Sequence, residues 1–452
     1  MRFLVRVDPI EPLPETGTIV LDWFAQDRPR STVQFDSPDH RFLAGLSPSP
    51  AALDLLRLGG AVFCVDKIAR RGDAADFWTR DLALTLPVSD PALWRAASEL
   101  VEGTLSFLSG DRWSVSFSAA TGDQEAEEAE DEEEQGTGTV VAADAVSLFS
   151  GGLDSLAGAI ELLEAGETLL LVGHHDSALT DHTQTELFKG ISAAFPDRAI
   201  QRRLLLRPGA RDPRQARPLP AGEGEITTRT RSLLFLSAGI ALADALGSGT
   251  PLYVPENGFI GLNVPLTAAR VGSLSTRTTH PLFMQRIAEL LSALGLDHSL
   301  VNPFRLATKG EALERSPRRD ILDRLALASI SCSHPEAARW HSGRQGNCGY
   351  CYPCMIRRAS LHRIGLDDAG EYDRDALTDA PLLQRTGLKV GRDLRALLSR
   401  MAVAPKPVDV LRNGPIPGGE TRAFFDLYLR GLDELRSWLT DGGSPEIVKR
   451  LG

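Results

Sequence analysis

The arrangement of hydrophobic and polar residues changes along the chain and divides it into regions of different predicted structure. In the first 120 residues, short apolar or alternating runs indicate strands, and segments with apolar residues every three or four positions indicate helices. The predicted strands are 3–7, 18–23 and 113–117, and the predicted helices are 51–71 and 91–108. We therefore expect an N-terminal α+β domain over residues 1–120, which carries no recognisable chemical motif and is a candidate for partner binding.

From about residue 144 the pattern becomes a regular alternation of strands and helices. The predicted strands are 146–149, 168–173, 203–206 and 251–254, and the predicted helices are 155–165, 232–246 and 282–294. The strands are short, continuous apolar runs, which is typical of strands buried on both faces of a parallel sheet. Residues 144–365 are therefore predicted to form an α/β domain with a doubly wound parallel sheet.

Two further regions flank this domain. Residues 121–143 contain an acidic run from Glu125 to Glu134, whose like charges repel each other and cannot bury a face. An acidic flexible linker is expected there. Residues 366–452 show helical periodicity over 393–401 and 420–439, which predicts a helical C-terminal extension.

Composition and charge limit the classes of function. The chain has 452 residues, of which 42% are hydrophobic and 24% are charged, a balance typical of folded globular proteins. No segment approaches the roughly 20 apolar residues that span a bilayer, and the first residues lack the apolar core of a secretion signal, so a cytoplasmic protein without membrane contact is expected. The formal net charge of -11 disfavours nucleic acid as a direct substrate.

The segment Ser150-Gly-Gly-Leu-Asp-Ser155 connects a predicted strand to a predicted helix. Backbone N–H groups at a helix N-terminus favour an anion, and the two glycines allow a phosphate to approach the backbone closely. A carboxylate beside phosphates, here Asp154, requires a cation such as Mg²⁺ between them. These features indicate a phosphate-binding loop, whereas a Walker-type loop would require Gly-Lys followed by Ser or Thr.

Four of the five cysteines are crowded into a short segment, at Cys332, Cys348, Cys351 and Cys354. In a reducing compartment this spacing favours a metal over disulfides, and four thiolates complete the tetrahedral shell of a structural Zn²⁺ site. An iron–sulfur cluster is the alternative for the same residues. Cys64 stands alone in an apolar run and is expected in the core.

The Ser150–Ser155 loop resembles the signature of the PP-loop ATP pyrophosphatases, which have a HUP-like α/β fold. The resemblance implies an enzyme that binds ATP and Mg²⁺, cleaves ATP between the α and β phosphates, and adenylates an oxygen of its substrate. It implies that His175, which follows the second strand of the domain, contacts the adenine. The loop residues expected to hold the cofactor are Ser150, Gly151, Gly152, Leu153, Asp154 and Ser155.

The loop and the cysteine segment together are similar to QueC, the 7-cyano-7-deazaguanine synthase family, over roughly residues 145–364. By this resemblance Lys309, which opens a predicted helix, neutralises charge on the phosphates. Arg229 and Arg231 lie where the family has an Arg-Asn segment, but they depart from its proline-led pattern; arginines at a helix start favour a bound anion. The predicted catalytic residues are Asp154, Lys309, Arg229 and Arg231.

Simple QueC proteins lack anything like residues 1–120 or the helical tail, and the longer architecture resembles QatC of the Qat anti-phage systems. That resemblance implies adenylation of a carboxylated deazaguanine, followed by amide or nitrile formation or by transfer to an amine of a partner protein from the same defence operon. Three alternatives stay open: a synthase that makes the free 7-cyano-7-deazaguanine base, a tRNA-modifying PP-loop enzyme, and a non-catalytic nucleotide-binding scaffold of a defence complex.

Overall fold

The structure is a computed structural model. It describes residues 1–8, 11, 14, 17–23, 32–35, 42–120, 142–175, 177–208, 224–225, 229–267, 276–335, 346–384 and 390–451. The acidic run Glu125–Glu134, and with it almost all of the predicted linker, lies outside these residues. Within the described ranges, no helix combines the length and the apolar character needed to cross a membrane.

The described strands form two sheets, and the helices pack around them. The strands are β1 (Arg2–Arg6), β2 (Thr18–Asp22), β3 (Val33–Phe35), β4 (Asp81–Val88), β5 (Arg112–Ala119), β6 (Ala145–Leu148), β7 (Leu169–His175), β8 (Ala199–Pro208), β9 (Leu252–Tyr253) and β10 (Leu300–Val301). The first eight helices are α1 (Pro50–Ile68), α2 (Pro91–Ala96), α3 (Ser98–Ser109), α4 (Leu153–Glu164), α5 (Ala178–Ala194), α6 (Arg231–Leu246), α7 (Gly258–Leu262) and α8 (Pro281–Ala293). They are followed by α9 (Lys309–Glu314), α10 (Arg319–Ala326), α11 (Tyr352–Arg363), α12 (Arg392–Met401), α13 (Thr421–Gly442) and α14 (Pro445–Arg450).

The N-terminal sheet has the strand order β2-β1-β4-β5, and all of its pairings are parallel. The predicted helix 91–108 is divided at Ala97, which separates α2 from α3. Asp90 caps α2, because its carboxylate accepts hydrogen bonds from the backbone N–H groups of Ala92 and Leu93.

The second sheet has the order β10-β9-β6-β7-β8-β3. Its first five strands are parallel, and β3 pairs antiparallel with β8 at the edge. The predicted α/β architecture with a parallel sheet is therefore confirmed. The chain runs outward from β6 through β7 to β8 and then returns to the other side of β6 with β9. Because ligands of open α/β sheets bind where the strand order reverses, the carboxyl ends of β6 and β9 mark the place for a site.

Both faces of the second sheet are covered. Alternate residues of a strand point to opposite faces, and in β7 Leu170 and Val172 pack in a core with α1 and α6, whereas Leu169 and Leu171 pack in another core with α4 and α5. Helix α1 is buried around almost its whole circumference, as expected for a helix enclosed between two sheets.

The core that surrounds α1 also contains Phe3 and Val5 of the N-terminal sheet. The described residues before position 120 therefore pack directly on the second sheet and contribute β3 to it, and the division of the chain at residues 120 and 144 stays a prediction. A third core joins the cysteine segment to α7 and to the C-terminal helices α11–α14. This core places the helical extension beside α7 and the cysteine segment.

Candidate functional site

The Ser150–Ser155 loop lies at the carboxyl end of β6 and leads directly into α4. Gly152 occupies the N-cap position of α4, and no side chain caps the helix there. The backbone of Gly151 has φ +87°, a left-handed conformation that favours glycine. Ser155 Oγ donates to the Gly152 carbonyl at 3.0 Å, and Ser150 Oγ lies 3.4 Å from Ser155 Oγ. The loop thus presents backbone N–H groups and two hydroxyls to an anion at the start of a twelve-residue helix.

Leu153 contributes to this loop in a different way from its neighbours. Its side chain is fully buried in the core beneath α4. The part of Leu153 that can contact an anion in the loop is therefore its backbone N–H. The side chain instead anchors the first turn of α4 under the loop.

Asp154 lies on the floor of the site between two donors that come from distant parts of the chain. Its Oδ2 accepts from Lys309 Nζ at 2.9 Å and from Asn257 Nδ2 at 2.8 Å. Its Oδ1 is buried and has no hydrogen-bond partner among the described residues. A buried carboxylate oxygen without a donor is suited to bind a cation, so Asp154 fits the ligand expected for Mg²⁺ beside phosphates.

Two adjoining cavities open beside the loop, and they share Ser150, Ser155 and Glu256 among their walls. The larger cavity, of about 340 Å³, has an apolar side lined by Leu148, Leu179, Phe235, Leu236 and Val254. The smaller cavity, of about 290 Å³, has a polar lining that includes Asp154, Lys309, Ser331 and Ser333. An apolar compartment next to a polar one, with the Ser150–Ser155 loop between them, suits a ligand that has an apolar and a polar part.

Glu256 follows β9 and faces both cavities. Its Oε2 accepts from the hydroxyls of Thr278, at 3.1 Å, and Thr279. Burial raises the pKa of this carboxyl, and repulsion by Asp154 adds to the effect. The two threonine hydroxyls fix the carboxylate in position, so it can accept a hydrogen bond from an N–H group of a ligand.

Arg231 opens α6 and lines the larger cavity. Its Nε–H donates to His174 Nδ1 at 3.2 Å, and its terminal nitrogen donates to the His174 carbonyl at 3.1 Å. Since Nδ1 is the acceptor, the neutral ring carries its proton on Nε2, which donates to the Leu206 carbonyl at 3.3 Å. The buried His174 thus holds the guanidinium of Arg231 at the edge of the cavity.

The structure does not bring Arg229 to either cavity. Its backbone N–H donates to Asp66 Oδ2 at 2.7 Å, and its guanidinium lies 4.8 Å from the centre of the Trp78 ring. Burial, reinforced by repulsion from Arg71 and Arg277, lowers the pKa of Arg229 to about 10. The side chain of Arg229 therefore lies beside Trp78 and the Ser109 carbonyl.

His175 ends β7, and it too is absent from the walls of the two cavities. Its Nδ1 lies 3.7 Å from the carboxylate of Asp181 in α5, which also pairs with Arg203. The structure therefore places the ring beside these two charged side chains. The predicted contact between His175 and adenine stays a prediction.

The four clustered cysteines lie close together, with their Sγ atoms all within 4.8 Å of one another, and could bind a zinc ion. Sγ of Cys332 is 3.8 Å from Sγ of Cys351, and Sγ of Cys348 is 3.9 Å from Sγ of Cys354. A tetrahedron with Zn–S bonds of about 2.3 Å has S···S separations of about 3.8 Å. The arrangement therefore fits a closed Cys₄ site.

The cysteine cluster is connected to the Ser150–Ser155 loop through the backbone. The N–H of Ile330, two residues before Cys332, donates to the carbonyl of Gly151 at 3.0 Å. The next residue, Ser331, is held by Asn347, whose side-chain oxygen accepts from its N–H at 3.0 Å. Cys332 itself lines both cavities. A metal at the cluster would thus stabilise one wall of the site.

The site also contains residues that the sequence motifs did not identify. The apolar wall includes Phe235, and the polar edge includes Thr278, Thr279 and Ser331. No local motif marks these side chains, because the fold brings them to the cavities from separate elements.

Comparison of the chain with known protein-family models, with curated proteins and with solved structures found no match.

Proposed function

We propose that the protein binds Mg²⁺ and ATP at the Ser150–Ser155 loop and uses them to adenylate a carboxylate. The observation that carries this proposal is the uncapped N-terminus of α4 beside the Asp154–Lys309 ion pair, at the point where the strand order of a parallel sheet reverses. In this reaction a carboxylate oxygen attacks the α-phosphorus of ATP, the bond to the β-phosphate breaks, and pyrophosphate leaves.

Each part of the site has a task in this proposal. The loop N–H groups and the hydroxyls of Ser150 and Ser155 bind the phosphates, and the Lys309 ammonium stabilises negative charge on the leaving pyrophosphate. Asp154 would hold Mg²⁺, which offsets phosphate charge. The apolar wall around Phe235 accommodates the base, and Arg231 contacts an anionic group of the nucleotide or the substrate.

The substrate and the biological role are proposed from the resemblance to QueC and QatC proteins. We propose a carboxylated deazaguanine, whose N–H groups would be read by the carboxylate of Glu256. An amine then attacks the acyl carbon, AMP leaves, and the amine loses a proton. Ammonia as the amine gives an amide. A second ATP can then adenylate the amide oxygen, releasing pyrophosphate, and departure of AMP with loss of the nitrogen-bound protons gives the nitrile. A lysine or terminal amine of a partner protein instead gives a conjugate. The latter product fits a role in anti-phage defence. We also propose Zn²⁺ as the ion of the cysteine cluster.

The test is pyrophosphate release from ATP and Mg²⁺ by the purified protein with carboxy-deazaguanine, with ammonia or the partner protein added in turn. We expect release that depends on the carboxylate, is lost in Asp154→Asn and is retained in Glu161→Gln. Glu161 is the matched control because it lies on the same helix and forms a partly exposed ion pair with Arg315. Mass spectrometry of the products separates a nitrile from a protein conjugate.

Other outcomes identify the alternatives. Tight ATP binding without pyrophosphate release under any condition would favour a non-catalytic nucleotide-binding scaffold. Release that requires tRNA would favour a tRNA-modifying enzyme. Release with carboxy-deazaguanine and ammonia alone, with no conjugate to any partner, would favour synthesis of the free base. Failure to bind ATP would refute the proposal.

A further inference from the structure

Helix α13 of the C-terminal extension contacts the helix that carries Lys309. Glu434 of α13 accepts hydrogen bonds from the Thr308 hydroxyl at 2.6 Å, from the Gly310 backbone N–H at 3.1 Å and from the Ser360 hydroxyl at 2.9 Å. The Glu434 side chain is only 5% exposed. Its carboxylate therefore binds the residues on both sides of Lys309 from behind the site.

The contact between Glu434 and α9 is close. A Cβ atom placed on Gly310 would lie 2.5 Å from Glu434 Oε2 and 2.7 Å from Arg363 Cδ, so a larger residue at this position would require these side chains to move. The N-terminus of α9 has its own capping box, formed by Thr308 and Glu311. The capping box pairs the Glu311 N–H, and Glu434 supplies the acceptor for the Gly310 N–H of the same turn. Burial raises the pKa of its carboxyl, so this contact carries a desolvation cost.

A second residue of α13 holds the opposite side of the same turn. Arg430 donates to the Glu311 carboxylate at 2.7 Å and to the Leu306 carbonyl at 2.8 Å. Arg430 and Glu434 are four residues apart and therefore lie on the same face of α13. Together they fix the segment around Lys309, whose ammonium extends toward Asp154 at 2.9 Å.

The same helix also supports the other donor to Asp154. Asn257 is the N-cap of α7, and the Phe259 ring of α7 stacks on the Tyr428 ring of α13, with 5.8 Å between their centres. Gly431 of α13 leaves space for the Phe259 ring. Helix α13 thus packs against both elements that supply hydrogen bonds to Asp154.

We propose that Glu434 is a positioning residue that fixes the first turn of α9, so that the Lys309 ammonium is held at Asp154 and at the phosphate side of the smaller cavity. This inference rests on the proposed function, because it assigns Lys309 to phosphate charge. It gives helix α13 a role in adenylation, although no residue of α13 lines either of the two cavities.

The test is a double-mutant cycle between Glu434→Gln and Lys309→Met, measured as kcat and KM for pyrophosphate release. Glutamine has one acceptor oxygen, so it cannot accept from Thr308 and Gly310 as the carboxylate does. We expect kcat to fall roughly 10- to 100-fold in Glu434→Gln, with KM for ATP changed less than about 3-fold. In the Lys309→Met background the same change should lower kcat by less than about 2-fold.

The neighbouring exposed Asp433 supplies the control, because Asp433→Asn changes the charge of α13 equally and should leave kcat unaltered. An unchanged kcat in Glu434→Gln overturns the proposal. The proposal is also overturned if Glu434→Gln lowers kcat by the same factor in the wild-type and Lys309→Met backgrounds. Glu434 would then act independently of the Lys309 amine.

A second readout does not depend on catalysis. Acetic anhydride modifies accessible amines, and the buried Lys309 can be compared by peptide mass spectrometry with Lys189, which is 66% exposed. We expect acetylation of Lys309 relative to Lys189 to rise about 5-fold or more in Glu434→Gln and to stay unchanged in Asp433→Asn. If the wild-type protein releases no pyrophosphate, the proposed function fails, but the labelling still tests whether Glu434 positions Lys309. An unchanged ratio of Lys309 to Lys189 acetylation in Glu434→Gln refutes that positioning.

Discussion

Replacing one cysteine of the cluster tests whether it binds a metal and whether it supports the Ser150–Ser155 loop. In Cys348→Ser one of four closely spaced sulfurs is lost from a fully buried position. Structural zinc sites in zinc-finger peptides bind with about 10–16 kcal/mol. If the four thiolates share this energy equally, one contributes roughly 2.5–4 kcal/mol, so the zinc dissociation constant should rise by about two to three orders of magnitude.

The assay is metal content by mass spectrometry, followed by competition with a chelator of known zinc affinity. We expect one zinc ion per wild-type chain and less than one in Cys348→Ser after the same chelator treatment. Chelation should lower the melting temperature of the wild type and have a smaller effect on the variant. Cys64→Ala is the matched control, because Cys64 is also a fully buried thiol but lies in α1, outside the cluster.

The loss of metal should also weaken ATP binding. Ile330 donates to the Gly151 carbonyl, and Cys332 is only two residues further along, so loosening the cysteine segment removes a support of the loop. We expect ATP affinity to fall about 5- to 10-fold in Cys348→Ser and to stay unchanged in Cys64→Ala. A full complement of zinc in Cys348→Ser would refute the assignment of the four ligands. Iron and visible absorption in the wild-type protein would point to an iron–sulfur cluster instead.

The remaining predictions concern the loop and a buried histidine. Gly151→Ala puts a Cβ on a residue with φ +87°, 3.2 Å from a methyl carbon of Thr183. Urea denaturation should therefore show a free energy of unfolding about 1–2 kcal/mol lower, and ATP should bind more weakly. The control is Gly166→Ala, at φ +111° with no contact within 4 Å, which should lower stability but leave ATP affinity unchanged. Burial, with repulsion from Arg277, lowers the pKa of His280 to about 4. As the pH falls from 6.5 to 4, this histidine takes up a proton in the unfolded chain but not in the folded chain. The free energy of unfolding should therefore fall by about 3 kcal/mol more in the wild type than in His280→Asn. Asparagine is the matched replacement because it keeps an acceptor at this N-cap position. If the free energy of unfolding had the same pH dependence in both proteins, His280 could not be the group responsible.

In the second sheet and its helices, the sequence predicted the central strands, which are buried over almost their whole length, and missed a short edge strand and a helix of mixed burial. The central strands β6 and β7 are continuous apolar runs, because both faces of the sheet are covered. Helix α5 was not recognised, since its buried stripe includes the polar residues Thr183 and Gln184 alongside Leu187 and Ile191. Strand β3 spans three residues and exists through its pairing with β8, more than 160 positions away, which no local pattern records.

The two arginines before α6 show the same limit within the site. Arg229 and Arg231 are alternate residues of one segment, and the sequence offered no basis for separating them. Asp66 of α1 accepts hydrogen bonds from the backbone N–H groups of Arg229 and Thr230 and so sets the orientation of the chain before the helix. Arg231 then faces the larger cavity, and Arg229 faces Trp78.

Asp154 illustrates why a motif identifies the chemistry of a site but not its geometry. The loop motif names this residue, but its two donors, Asn257 and Lys309, are 103 and 155 positions away. Both donors are supported in turn by α13, which no motif connects to the loop. A signal for that support is nevertheless present in the sequence: Gly310 directly follows Lys309 in a helix, where glycine costs roughly 1 kcal/mol relative to alanine. Such a glycine requires an explanation, and the close approach of Glu434 supplies one. Gly310 therefore marks, in the sequence itself, a position where a distant element approaches the backbone beside Lys309.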